Sequence, residues 1–496
     1  MSCILTVDQS TSATKALMLD TAGRILDKET AAHKQYYPRP GWVEHDAEEI
    51  YHNTIGVCRQ VLERNGDRTK DLLCLSITNQ RETIVVFDKE SGRPLYPAIV
   101  WQCRRAAPFC AELSRDNHND EVHRTTGLKI DTYFPAPKLT WLFREQPEVQ
   151  KRVQDGSALI GTIDTYLIYR LTRCKVHATD HTNACRTLLY DISKLQWNED
   201  LCRLFEIPCA GLPEILESSA RFGETDLGGL LDRALPICGV MGDSQAALFA
   251  QRCFQFGDGK VTLGTGSSVL VNLGSELRFS DHGIVSTIGW VYQGKPAYSF
   301  EGIINFTGAV IAWLKDQLQL ISEVQETETL ASEVPDAGGV YLVPAFVGLS
   351  APYWAPDAKG AIVGLTPGSG KRQVVRAALE SVAFQIRDLL GLMSQEIGMP
   401  LGLVRVDGGM VSNKFFLQLL ADLKQMPIRA SALAAHSAWG AALAGALGMG
   451  VYGSLEELNR LPHEFTDYEP RLDKKTSDAR YEGWKAAVRQ VLSSGK

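Results

Sequence analysis

Ile4-Leu5-Thr6-Val7-Asp8-Gln9-Ser10-Thr11-Ser12-Ala13-Thr14-Lys15 decides how the rest of the chain is read. A short apolar run ends in an acidic residue, passes through small hydroxyl residues and closes on a cation. Ala16-Leu17-Met18-Leu19 is apolar again, and Asp20-Thr21-Ala22-Gly23 reads as a tight turn before Arg24-Ile25-Leu26. The pattern predicts strand, small-residue turn, strand, hairpin turn and strand. N–H groups and hydroxyls in the first turn suit phosphate oxygens, with Asp8 available to a metal and Lys15 to phosphate charge. An ordinary Ser/Thr-rich hairpin would look the same.

A second stretch repeats the plan: Lys260-Val261-Thr262-Leu263-Gly264-Thr265-Gly266-Ser267-Ser268-Val269-Leu270-Val271-Asn272-Leu273-Gly274. The two copies open the two halves of the chain. A nucleotide held between two similar domains, each giving a phosphate-binding hairpin, is the plan of the actin and sugar-kinase superfamily, which this arrangement resembles. The implied fold class is α/β, with two actin-like (ribonuclease H-like) domains flanking an ATP-binding cleft. With 496 residues, the chain suffices for two domains of roughly 250, each burying its own core. We expect them at 1–246 and 247–496.

Composition narrows the partners. The chain is 45% hydrophobic and 22% charged, an ordinary globular balance. A net charge of −7 argues against nucleic acid or an anionic membrane as the main partner. There are 11 cysteines, none beyond Cys253 and none in a CxxC pair, so they read as reduced thiols of a cytoplasmic protein. The first residues show no secretory pattern, since Asp8 interrupts the apolar run. No apolar stretch reaches membrane-spanning length. The ten histidines form no HExxH, and no zinc site is expected.

Several stretches place polar groups at strand ends, where open α/β sheets bind ligands. Leu72 to Thr78 reads as a buried strand delivering Asn79-Gln80-Arg81-Glu82-Thr83. A guanidinium beside a carboxylate offers donors and acceptors to a polyol, although a solvated charge pair would read alike. Ala98 to Trp101 reads as a strand, and Thr182 to Thr187 precedes another. Ile237 to Met241 ends in Gly242-Asp243-Ser244, which makes Asp243 a candidate catalytic base, an N-cap, or both. Val404 to Asp407 ends in Gly408-Gly409, bare backbone on which a flat ring could lie. Asp46 is expected to cap a helix from Ala47 to about Asn65, and a long acidic helical stretch is expected before Pro335. Helices are expected from Gln373 to Ile397 and from Ala432 to Met449. Gly368-Ser369-Gly370-Lys371 mimics a P-loop, but Arg372 stands where Ser or Thr is needed.

The chain resembles the FGGY carbohydrate kinases and, within them, the glycerol kinase group most closely. Tyr133 to Glu145 matches the first family signature, and Gly360 to Leu365 through Ala377 to Glu380 the second. Similar wording runs nearly end to end, in SITNQRET, AIVWQCRR, GTIDTYLIYRLT, GDSQAALFAQ, LVPAFVGLSAPYW and RVDGG. The resemblance implies ATP- and Mg²⁺-dependent phosphorylation of a small polyol or sugar. Asp8 would orient Mg²⁺ and its waters. Ser12, Lys15 and Thr265 would touch the ATP phosphates, Gly308 the nucleotide cleft, and Gly409 with Asn413 the adenosine. Asp243 would take the substrate hydroxyl proton, and Arg81, Glu82, Trp101 and Tyr133 would line the substrate pocket. The expected partner is a small molecule, with a homodimer or homotetramer as the expected kind of assembly.

Departures from the family pattern bear on the substrate. Ser244 replaces a Gln, Ser268 a Phe, Lys15 an Arg and Ala312 a Gln. Ala234 stands where some bacterial members carry the Arg of a sugar-bisphosphate loop, so that regulation is not expected. Three readings follow: a glycerol kinase with an altered pocket, a kinase of a larger polyol or ketose, and a non-catalytic binding homologue. Asp8, Asp243 and Thr265 together argue against the third.

Overall fold

The computed structural model describes residues 2–355, 357–431, 433 and 435–493. The opening stretch forms the predicted hairpins. Strand Cys3–Gln9 pairs antiparallel with Ala13–Asp20, Asp8 facing Lys15, and Ala13–Asp20 pairs with Ile25–Ala32. On its other side Cys3–Gln9 runs parallel to Leu72–Asn79, which runs parallel to Leu235–Gly242. Arg221–Thr225 closes that edge antiparallel. The central strands carry apolar side chains on both faces because helices cover them.

The second half repeats this order. Lys295–Ile304, Ser267–Gly274 and Gly259–Leu263 form an antiparallel set. Val404–Gly408 and Ile428–Ala430 follow in parallel, and Thr466–Tyr468 closes antiparallel. Val285–Tyr292 extends the hairpin edge by one strand. The sheets therefore present their turns from corresponding edges.

Local chemistry explains the elements. Asp46 caps helix Ala47–Arg64 by accepting the N–H groups of Glu48 and Glu49, and Ile50, Val57 and Val61 face the sheet. Helices Asp243–Ala250 and His436–Gly448 lie against each other, and the second also lies against the first sheet. Their contact is main chain on main chain. A Cβ at Gly440 would collide with the carbonyl oxygen of Ala246, while one at Gly445 would meet the first sheet, 2.4 Å from Ser76 Oγ and 2.8 Å from the Cys238 carbonyl oxygen. The helix expected from Ala432 begins at His436; Ala432 and Ala434 lie outside the described residues. Helix Asp243–Ala250 also runs through residue 246, where the first half is expected to end.

Other expectations are corrected. The strand at Ala98 stops at Ile99, since Trp101 turns its N–H to the Thr83 hydroxyl. Thr182 to Thr187 does precede a strand, Tyr190–Asp191, and His181–Ala184 is in addition a short helix, because Asp180 accepts the N–H groups of Thr182 and Asn183. The acidic stretch is helical only over Glu326–Ser332, because Glu326 bends back to accept the N–H groups of Ser322 and Glu323. Lys371–Ile397 is a single helix, and the P-loop mimic is its cap, with Gly370 N–H donating to Gln373 Oε1 at 3.0 Å. All eleven cysteines are free thiols. Among the described residues no helix is long and apolar enough to cross a membrane.

Candidate active site

Strand register gathers the candidate residues of the first half. Gln9, Asn79 and Gly242 stand side by side across three parallel strands. Asp8, the run Gln80-Arg81-Glu82, and Asp243 therefore leave the sheet at one edge. In the second sheet Leu263 pairs with Gly408, so the Gly264-Thr265-Gly266 turn and the Gly408-Gly409 pair also share an edge.

Arg81 and Glu82 are not a solvated pair: they are 5% and 2% exposed. Arg81 donates from Nη2 and Nη1 to Glu301 at 2.7 and 3.1 Å, and from Nη1 to Gln245 Oε1 at 3.0 Å. Arg186 donates from Nε to Glu82 Oε1 at 2.7 Å, and its Nη1 lies 2.8 Å from Glu301 Oε2. Burial would raise the Glu301 carboxyl, but the Arg186 and Arg81 guanidiniums outweigh it and hold the group down at about 2. Two buried cations and two buried anions thus compensate each other. Arg81 keeps its Nε–H, 3.4 Å from Asp243 Oδ1, and one Nη2 N–H for a ligand hydroxyl.

Glu82 has a left-handed backbone, φ 62°, which costs a residue with a side chain about 1–3 kcal/mol. The fully buried Lys138 holds it there, donating to the carbonyls of Glu82 (3.2 Å) and Tyr133 (2.6 Å). Burial lowers the Lys138 ammonium to about 7 against the pull of Glu82. The Trp101 indole N–H donates to Thr11 Oγ1 at 3.0 Å, and its ring lies 5.3 Å from that of Tyr133. This joins the aromatic wall to the first turn.

Asp243 is the first residue of its helix, whose N-cap is Gly242, so it is not itself the cap. Its side chain is enclosed by protein yet 40% open to the cleft. Burial raises its carboxyl, the Arg81 charge lowers it, and Glu82 raises it again. Cleft water relieves part of that burial penalty, so the net upward direction is what matters. Ser244 and Ser268 are both half-buried. Ser268 Oγ lies 3.5 Å from Nζ of the buried Lys260, which also donates to Thr262 Oγ1 at 2.9 Å.

The phosphate candidates divide by role. Ser12 and Thr265 are exposed on their turns. Lys15 Nζ lies 3.1 Å from Asp8 Oδ2. Gly308 supports the second turn: its N–H donates to Gly264 O at 2.9 Å, while Thr307 and Ala309 N–H both donate to Thr265 O at 3.0 Å. A Cβ on Gly308 would stand 2.7 Å from Gly264 O. Gly409 opens to free space, whereas Gly408, at φ 97°, is required by its contact with Leu263. Asn413 caps helix Lys414–Lys424 through Phe416 N–H and donates to Thr327 Oγ1 at 3.2 Å. Among the described residues no group of three or more His, Cys, Asp or Glu is arranged to hold a metal. One carboxylate beside a phosphate turn fits Mg²⁺ that takes its remaining ligands from phosphates and water.

Arg186, Glu301, Lys260, Gln245 and the Asp180–Asn183 group were missed in the sequence. Glu301 directly follows the largely apolar stretch Ala297-Tyr298-Ser299-Phe300, the same signal that marked Asp8. Arg186 carried no comparable cue, because its importance lies in partners over 100 residues away.

Comparison with known proteins agrees with this geometry. The model of the FGGY family of carbohydrate kinases, N-terminal domain, matches residues 3–250, and that of the C-terminal domain matches 259–449. Glycerol kinase 1 of Thermotoga maritima is 46% identical over 490 residues, 99% of each chain. The glycerol kinase of Desulfitobacterium hafniense is 43% identical over 489 residues, again 99% of each. The solved structure of Plasmodium falciparum glycerol kinase with ADP superposes at a TM-score of 0.94 with 35% identity, covering 99% of this chain and 98% of that one. Xylulose kinase of Lactobacillus acidophilus shares the fold at a TM-score of 0.89 with 20% identity.

Proposed function

This chain belongs to the FGGY family of carbohydrate kinases, and on that premise we propose that it phosphorylates glycerol to glycerol 3-phosphate with ATP. The observation carrying the reading is the shared strand edge from which Asp8, Arg81-Glu82 and Asp243 emerge. Full-length likeness to glycerol kinases supports it.

In this reading residues 1–246 carry the substrate pocket and 247–496 the nucleotide site. Glu82 accepts and Arg81 donates hydrogen bonds to the substrate hydroxyls, with Trp101 and Tyr133 against its carbons. Asp243 receives the proton of the attacking hydroxyl, and its raised affinity for protons suits that task. Ser12, Lys15 and Thr265 hold the phosphates in line with the hydroxyl, while Gly409 and Asn413 border the adenosine. Phosphoryl transfer needs mostly positioning and charge neutralisation, which these groups supply. Mg²⁺ held at Asp8 would neutralise phosphate charge. Eleven free thiols suit a cytoplasmic setting.

A second reading rests on Ser244 and Ser268. Their small side chains leave room for a four- or five-carbon polyol or a ketose, with hydroxyls to bind it. ADP release measured over glycerol, erythritol, pentitols and ketopentoses decides between the two. Glycerol giving the highest kcat/KM upholds the first reading, and a longer substrate leading replaces it with the second.

A further inference from the structure

Asp243 has few side-chain partners to aim it. Its carboxylate accepts its neighbour's N–H, from Ser244 at 2.6 Å, and faces Arg81 Nε at 3.4 Å. The aim of such a group is set mainly by its backbone. That backbone is held on both sides by hydroxyls. Gly242 N–H donates to Thr182 Oγ1 at 2.8 Å, and Ser437 Oγ donates to the Asp243 carbonyl at 3.0 Å. Thr182 belongs to the first half of the chain and Ser437 to the second.

Thr182 is itself fixed. Its hydroxyl proton is taken by Asp180, whose two oxygens lie 2.9 and 2.8 Å away, which leaves an oxygen lone pair for Gly242. Asp180 is fully buried and also accepts from Ser218 Oγ at 2.7 Å and from Asn183 N and Nδ2 at 3.0 and 2.9 Å. Asn183 in turn exchanges amide hydrogen bonds with Asn79 at 2.9 and 3.2 Å, two residues before Arg81. Ser437 stands in the first turn of the small-residue helix that touches the Asp243 helix main chain to main chain.

We propose that Thr182 and Ser437 are positioning residues that aim the Asp243 carboxylate at the acceptor hydroxyl, with Asp180 orienting Thr182. The proposal rests on Asp243 acting as the base. A displaced base should cost turnover while substrate binding persists, because Arg81, Glu82 and the phosphate turns stay in place. Misplacement by about 1 Å can cost roughly 10²-fold in rate.

The test measures kcat and KM for Thr182→Val, Thr182→Ser and Ser437→Ala, each alone and combined with Asp243→Asn. Thr182→Val should lower kcat by about 10- to 100-fold with both KM values within about threefold. Thr182→Ser, which keeps the hydroxyl, should stay within about threefold of the parent. Ser437→Ala should lower kcat by about three- to tenfold. In the Asp243→Asn background, neither Thr182→Val nor Ser437→Ala should cost more than about twofold further. Equal losses in both backgrounds, unchanged kcat, or a Thr182→Ser as slow as Thr182→Val would overturn the proposal. If Thr182→Val does not fold, the Ser437→Ala pair of backgrounds decides. Near-parental turnover in Asp243→Asn alone would instead remove the base itself.

Discussion

Glu301 and Arg81 lie 220 residues apart in the chain and meet through hydrogen bonds of 2.7 and 3.1 Å. The strand that delivers Glu301 belongs to the second sheet, so the guanidinium proposed to meet the substrate is oriented from the opposite half. Glu301→Ala would leave Arg81 and Arg186 buried with Glu82 as the one remaining buried anion of the cluster. It should destabilise the protein by about 3–5 kcal/mol and raise KM for glycerol. A thermal melt with unchanged Tm would show that the cluster is not compensated in this way.

The same carboxylate sets an acid limit. Its folded pKa of about 2 lies below the ordinary 4.5. The unfolded chain therefore binds the proton more readily, and stability falls as pH drops between these values. Above pH 4.5 this contribution is complete, and near pH 2 it is gone. Glu301→Gln should flatten that part of a urea-denaturation series in pH, and an equally steep loss in the variant would contradict it.

Asp243→Asn should retain ATP binding and lower kcat by roughly 10²–10⁴, as for loss of a general base. Because the Asp243 carboxyl is raised, the parent's kcat should decline on acidification at a pH above the ordinary aspartate value of about 3.9. On the proposed role the base works deprotonated, so activity falls as pH drops through the raised value. A kcat level down to pH 4 would contradict the shift.

Ser244→Gln with Ser268→Phe should move preference toward glycerol. An aromatic face covering roughly 40 Å² of substrate carbon contributes about 1 kcal/mol, and one neutral hydrogen bond adds about 0.5–1.5 kcal/mol. Together they correspond to an affinity gain of a few tens-fold. The new ring would also cover the Lys260 ammonium near Ser268. The ratio of kcat/KM for glycerol to that for the best longer substrate, before and after, checks this. An unmoved ratio would mean that these positions do not set substrate size.

Gly308→Ala should disturb the nucleotide side alone. The added methyl meets the Gly264 carbonyl at 2.7 Å and should push the turn aside. KM for ATP should rise by roughly tenfold with KM for glycerol within about twofold. Parallel increases in both would argue that the two sites are not separable.

The sequence exposed those parts of the site that sit where an apolar run ends. Asp8 closes the apolar run of its strand, Arg81 and Asp243 each come just after one, and strand register does the rest. Asp46 was legible for a similar reason, since a cap acts within its own turn. The partners that make the site work were not legible. Arg186, Lys260 and Asp180 matter through contacts between distant segments, and nothing in their immediate neighbours records those contacts. Asn413 shows a second kind of illegibility: family likeness marks it for the adenosine, but its capping of a helix and its bond to Thr327 could not be read from its neighbours in sequence.

The bare contact at Gly440 and Gly445 bears on how this protein tolerates change. Replacing glycine by alanine inside a helix is a common route to greater heat resistance, since it restricts the unfolded chain. In this helix the route is closed, because a methyl at Gly440 would lever it off the Asp243–Ala250 helix and one at Gly445 would lift it off the first sheet. A saturation mutagenesis screen for activity should therefore flag Gly440 and Gly445 as strongly as Arg81, although what a side chain at either would meet is protein. Intolerance to substitution in this protein is thus no guide to where its ligands bind.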